Sequence, residues 1–258
     1  MKKVEEYITE LEGMKKYPKE LYAIGNLELL NRPKVSIVGT RRPTGYTKDF
    51  TLNLAKSLAS RGVCVVSGVA MGVDALAHTG AGYANTIAVV ANSLDIRYPA
   101  INRHLIEGIE KEGLMLSQYA PTFKATPWSF VVRNEVVVAL GDVLVVTQAD
   151  LKSGSMRSVE FALKMGKEIY VFPHRLDESM GTNELLEKGL AKPIYNIEEF
   201  SNRYGVIPKD ETIGKDEFFY FCQTSPTLDE AVSKFDSRVY EAELLGEIRI
   251  ENGIVRLM

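Results

Sequence analysis

Short apolar runs recur through the middle of the chain, at 35–38, 63–66, 86–91, 114–116, 143–147 and 169–172. They are rich in Val, Ile and Leu and end at turn-forming residues, the pattern of strands buried on both faces. Helix-length segments separate them. In 47–60 the residues Phe50, Leu54 and Leu58 form one apolar stripe, and in 155–165 Val159, Ala162 and Leu163 form another. Strand–helix alternation over this length predicts βαβ units. The expected fold of 33–200 is therefore α/β, a doubly wound, mainly parallel sheet with helices on both faces.

The rhythm stops near residue 200. Residues 201–215 mix Gly, Pro and charge without periodicity and read as a linker. Residues 216–258 offer two or three helix-length segments, then a hairpin signal, Asn252-Gly253, between 248–250 and 254–257. That order predicts a small winged-helix-like module of marginal independent stability. Residues 1–32 are expected to form a helical accessory segment.

Composition narrows the functional classes. The chain has 258 residues, 45% of them hydrophobic and 25% charged, which excludes general disorder. Its longest apolar stretch, 136–146, is broken by Gly141 and Asp142 and is far too short for a membrane span. The charged opening MKKVEEY predicts no secretory leader. Two cysteines, Cys64 and Cys222, make no disulfide framework, so a cytoplasmic location with free thiols is expected. With 31 basic and 34 acidic side chains the net charge is −3, which on its face disfavours nucleic acid. The charge is unevenly spread: residues 1–32 are neutral, 33–200 carry +1 and 201–258 carry −4. The acidity belongs to the tail, and the sheet region is free to gather positive groups in one cleft.

In an open parallel sheet, ligands sit beyond the carboxyl ends of the strands. Three loops leave those ends here, and each is rich in small residues. The first, Gly39-Thr40-Arg41-Arg42-Pro43-Thr44-Gly45, puts two guanidinium forks beside a helix start, where free N–H groups favour an anion. It matches neither a P-loop nor GxGxxG. The second, 67–74, holds Ser67, Gly68 and Gly72 in a spacing that suits a backbone nest for phosphate. Asp74 and His78 share a helix face there, as an acid–base pair or as a cap and a locally bonded histidine. The third, 148–157, offers Ser153-Gly154-Ser155 at a helix start, flanked by Lys152 and Arg157. Before the apolar helix at 136–140, Trp128, Phe130 and Arg133 lie close together. They suit stacking of unpaired bases or, alternatively, sealing of the sheet. The three histidines, His78, His104 and His174, are scattered, so no metal site is expected. No GxSxG elbow occurs.

Taken together, these segments resemble the DprA family, also called Smf, the bacterial DNA-processing proteins of natural transformation. The resemblance runs from Tyr17-Pro18 to Ile194. It rests on VSIVGTRRPTGY (35–46), SGVAMGVDALAH (67–78), TIAVVANSLDIRYPAINRHL (86–105) with Tyr98, Pro99 and Asn102, SGSMRSVEFALKMGKEIYVFP (153–173) and GTNELLEKGL (181–190). It implies an extended Rossmann-like domain that binds single-stranded DNA, forms a homodimer, protects incoming strands and helps load RecA recombinase, without a chemical step or cofactor. It also implies DNA contacts by Gly39, Thr40, Arg41, Ser67, Gly68, Gly72, Arg133, Ser153, Gly154 and Ser155, with Lys152 and Phe130 beside them. The chain departs from the family pattern at Glu135, where an arginine is usual, at Thr147 or Gln148, where a glutamate is usual, and after Ser-Gly-Ser, where Met156-Arg157-Ser158-Val159-Glu160 replaces the typical apolar run. Arg157 is positioned to replace the cation lost at Glu135.

An alternative reading is a nucleotide-cleaving N-glycosidase of the lysine-decarboxylase-like type, with SGSMRSVE in place of its glycine-rich motif and Glu160 in the catalytic position. For the tail module, the segment 238–247 carries three glutamates and one arginine. Phosphate would repel such a face, so a protein-contact or structural role is expected.

Overall fold

The apolar runs become strands because their β-branched residues fill a two-sided interior. In chain order these are β3 (Lys34–Val38), β4 (Cys64–Ser67), β5 (Thr86–Val90), β6 (Leu114–Ser117) and β7 (Val143–Val146), every residue of which is buried, and then β8 (Ile169–Val171). Two short strands precede them, β1 (Lys2–Lys3) and β2 (Tyr22–Gly25), and β9 (Lys192–Pro193) closes the series. The sheet order is β1-β2-β6-β5-β4-β3-β7-β8-β9. All pairings from β6 to β9 are parallel, while β1 and β2 run antiparallel. Helices α1 (Gly45–Ala59), α2 (Val73–Ala81), α3 (Arg103–Glu112), α4 (Pro127–Leu140), α5 (Gly154–Lys164) and α6 (Met180–Glu187) connect the strands, and α7 (Ile197–Ser201) follows β9. This is the doubly wound, mainly parallel α/β sheet that the sequence pattern predicts.

The structure is a computed structural model that describes residues 1–207 and 217–257. Contacts divide it into two units, Met1–Pro208 and Lys209–Met258. The expected linker, 201–215, lies outside the described residues from 208 onward.

Residues 1–32 differ from the helical segment expected of them. They hold β1, β2 and two short 3₁₀ turns, Thr9–Gly13 and Leu27–Asn31. Gly13, Pro18 and Gly25 interrupt any longer helix. Tyr22-Ala23-Ile24 instead pairs with β6 and covers an edge that would otherwise present unpaired backbone groups. Lys34 ties this segment to the sheet: its buried ammonium donates to Leu30 O at 2.7 Å and Arg32 O at 2.9 Å, and meets Glu10 at 2.7 Å. The helix stripes are also narrower than expected. Leu54, Leu58, Val159 and Ala162 are buried, but Phe50 and Leu163 stay partly in water. Phe50 packs beside Tyr46 and edge-on to Phe172.

Unit 2 holds α8 (Glu217–Cys222), α9 (Leu228–Phe235) and α10 (Arg238–Leu244), followed by the hairpin β10 (Ile248–Glu251) and β11 (Ile254–Leu257). Asn252 and Gly253 both take positive φ, 52° and 74°, as a two-residue hairpin turn requires. Phe218, Cys222, Ala231, Val239, Ala242, Ile248 and Val255 form a separate small core.

Candidate nucleic-acid interface

The strand order reverses between β3 and β7: β3 leads away to β4 on one side and β7 to β8 on the other. A crevice opens at the carboxyl ends of strands at such a switch point. The loops that leave these strands are sewn together by backbone. The Thr40 N–H donates to Gln148 O at 2.9 Å, Thr147 N–H to Val38 O at 3.1 Å and Val73 N–H to Thr40 O at 3.1 Å. Thr44 N–H donates to the Gln148 side chain at 3.0 Å. Gly72, at φ +81°, lies so close that a Cβ there would sit 2.4 Å from Thr40 O. The three loops picked from the sequence therefore form one wall.

The wall encloses an open cavity of roughly 730 Å³. Gly39, Thr40 and Arg41 line it from the first loop and Gly68 from the second. Ser153, Gly154 and Ser155 line it from the start of α5, and Phe130 and Arg133 from α4. Three predicted residues do not line it. Ser67 is fully buried and its hydroxyl donates to Ile37 O at 2.6 Å. Gly72 acts as the seam between loops, and Lys152 points to solvent.

The chemistry at the cavity is cationic and hydroxylic. Phe130 has two guanidinium groups within cation–π reach of its ring, Arg41 at 5.7 Å and Arg133 at 5.8 Å. Arg41 is exposed, whereas Arg133 is 6% exposed and donates to Val89 O at 2.7 Å and Asn134 Oδ1 at 3.1 Å. Gly68 makes room for it, since a Cβ there would fall 2.4 Å from both Arg133 Nη1 and Asp74 Oδ2. Burial raises the Asp74 carboxyl above its ordinary range, against the pull of Arg133 and the Ala70 backbone. Ser153 occupies the N-cap of α5 yet makes no side-chain cap. The hydroxyls of Ser153 and Ser158 are both buried without a partner among the described residues, and both residues line the cavity. A helix start without a side-chain cap leaves backbone N–H donors that favour an anion.

Several expectations resolve on geometry. Glu135 faces away from the cavity and accepts the Lys15 N–H at 2.8 Å, so its negative charge serves the amino-terminal segment. Arg157 lines the cavity and pairs with Glu160 at 3.0 Å, while Glu160 itself is exposed and does not line it. Asp74 and His78 are both buried without forming an acid–base pair: Asp74 lies under Arg133, and the His78 ring bonds the Thr86 hydroxyl. Trp128 does not seal the sheet and is 65% exposed.

Sequence reasoning missed Tyr98, Thr126, Val131, Asn134 and Val137 as lining residues. Phe130, Asn134 and Val137 recur at helical spacing, and that periodicity marks the face of α4 turned to the crevice. Asn102 has an indirect part, donating to Val69 O at 2.8 Å and Ala70 O at 3.2 Å and so bracing the second loop.

An open, mainly parallel sheet with a crevice at its switch point places the chain among the Rossmann-like α/β proteins. More specifically, the chain belongs to the DNA recombination-mediator protein A family, whose sequence pattern matches residues 1–205. It is 34% identical to DNA processing protein DprA of Bacillus subtilis over 187 residues, 70% of this chain and 63% of that protein. It is likewise 34% identical to Protein Smf of Synechocystis over 199 residues, 74% of this chain and 50% of that protein. It thus spans between half and just under two thirds of the length of these relatives. Among solved structures, DNA processing protein A of Helicobacter pylori, studied for its single-stranded DNA binding mode, is 47% identical with a TM-score of 0.77, covering 78% of this chain and 94% of that one. The Streptococcus pneumoniae DprA structure is 31% identical with a TM-score of 0.71, covering 77% of this chain and 71% of that one.

Proposed function

We propose that this chain binds single-stranded DNA in the switch-point crevice as a non-catalytic protein. The observation that carries the reading is the uncapped start of α5. Ser153 at its N-cap and Ser158 one turn on line the same cavity as Arg41, Arg133 and the Phe130 ring, and their buried hydroxyls have no partner among the described residues. Hydroxyl and N–H donors suit phosphate oxygens, guanidinium groups neutralise them, and an aromatic face suits an unpaired base. A duplex is too stiff and wide to lay successive phosphates into such a crevice. The H. pylori relative, described by its single-stranded DNA binding mode, supports the same substrate.

In this reading the protein works in the cytoplasm, in natural transformation, as a homodimer that shields incoming strands and passes them to RecA recombinase. Pairing two crevices raises avidity without new contacts. The tail module is winged-helix-like and contacts protein rather than DNA, because α10 and the turn after it carry Glu241, Glu243 and Glu247.

The test is fluorescence anisotropy with single-stranded and duplex oligonucleotides across a salt series, with wild type beside Arg41→Ala. Single strands are expected to bind more tightly than duplex. Arg41→Ala is expected to weaken them and to reduce the slope of log affinity against log salt by about 0.7. Equal affinity for duplex, or an Arg41→Ala slope identical to wild type, overturns the reading.

A further inference from the structure

Trp128 is the only tryptophan in the chain, and 65% of its surface is in water. Large aromatic side chains usually gain stability by burial, so one held out on a rigid turn calls for a partner. The turn is rigid. Thr126 and Ser129 cap one another, the Thr126 N–H donating to Ser129 Oγ at 2.8 Å and the Ser129 N–H to Thr126 Oγ1 at 3.2 Å. Ser129 is fully buried, which fixes Trp128 on the outer side of the first turn of α4. Residues on either side of it, Thr126, Pro127, Phe130 and Val131, line the crevice, but the indole does not. Val131, three residues on and thus on the same helix face, is 40% exposed and joins the two.

We propose that Trp128 is a stacking platform for an unpaired base in the stretch of strand that leaves the crevice past Val131. The inference rests on the single-strand reading above and adds a residue outside the cavity to it. Every base has a π face, so an exposed indole takes any of them without reading sequence. The surroundings favour a nucleic acid over a protein patch. The neighbouring exposed side chains include Lys124 and Thr126, which interrupt any wide apolar surface, and the adjoining crevice carries the phosphate-type donors.

The lone tryptophan makes the test direct. Intrinsic fluorescence of the full chain is titrated with a thymine oligonucleotide long enough to overrun the crevice, and with an abasic oligomer of the same length. The thymine strand is expected to quench the emission, and the abasic one to bind without quenching. Trp128→Ala is expected to lose roughly 5- to 150-fold in affinity for the thymine strand with an unchanged salt slope, and Trp128→Phe to recover most of it. Wild-type affinity in Trp128→Ala, or equal quenching by the abasic oligomer, overturns the platform. So does a Trp128→Ala variant that keeps strand affinity but loses self-association, which makes the indole a protein contact. If Arg41→Ala weakens binding while Trp128→Ala does not, only the platform falls. If wild type binds no single strand, the crevice reading falls with it.

Discussion

Arg41 and Arg133 face the same phenylalanine but play different parts. Arg41 is exposed, and losing it removes a charge from the cavity and one guanidinium–ring contact with Phe130 but no buried group. Its alanine variant is expected to keep stability within about 0.5 kcal/mol in urea unfolding while strand binding weakens. Arg133 is buried beside the Asp74 carboxyl and under Gly68. Removing it leaves a buried acidic group without its counter-charge, so Arg133→Ala is expected to cost about 3 kcal/mol or more in the same measurement. An Arg133→Ala variant as stable as Arg41→Ala would show that the buried guanidinium is not structural. Gly72 is a further single-residue test. Its φ of +81° and the 2.4 Å approach to Thr40 O predict that Gly72→Ala strains the seam between loops. The expected result is a fall in both denaturant midpoint and strand affinity.

The start of α5 gives a prediction about an element rather than a side chain. An N-cap serine replaced by alanine ordinarily costs about 1 kcal/mol of stability. Ser153 makes no cap, so Ser153→Ala is expected to unfold at the same urea midpoint as wild type while binding single strands more weakly. A drop in midpoint would mean that the hydroxyl caps the helix in solution and is not held for a ligand. Thr126 provides the contrast, because its hydroxyl accepts the Ser129 N–H at 3.2 Å and Thr126→Ala is expected to show the ordinary loss. The two caps look alike in sequence. The difference lies in the cavity that α5 opens onto.

For the whole molecule, pH and truncation are informative. Burial lowers His78 from 6.5 to about 4, so the ring is neutral in the folded protein. Unfolded, it takes up a proton below pH 6.5. The stability it contributes is therefore complete above that value and declines as pH falls towards 4, by about 2 kcal/mol between pH 7 and pH 5. Asp74, whose carboxyl burial raises, pulls in the opposite direction, so the comparison is between wild type and His78→Asn. The variant is expected to show a flatter decline across that window, and an unchanged pH profile would sink the assignment. Because the crevice lies wholly within Met1–Pro208, a chain ending at residue 207 is expected to retain nearly full single-strand affinity. A large loss on truncation would place part of the interface in the tail unit.

The sequence by itself determined the sheet, because the runs around Val35, Val65, Ile87 and Val145 are short, β-branched and bounded by turn residues, as strands buried on two faces are. It also marked most of the crevice, since Gly39, Arg41 and Ser153 stand just beyond strand ends where a doubly wound sheet binds ligands. It misread 1–32 because a strand as short as Tyr22–Gly25 is specified by its partner β6 and not by its own four residues. Only the tertiary structure decided which polar groups face the crevice and which are used up inside the protein. Ser67 and Ser153 have the same hydroxyl, yet one is bonded to Ile37 O and the other has no partner among the described residues. Glu135 and Arg157 carry opposite charges, and only the second points into the cavity. Hydrophobic periodicity is a local property of the chain and survives in one dimension. The satisfaction of a hydroxyl or a charge depends on what folding brings within about 3 Å of it, and that is set by residues far away in sequence.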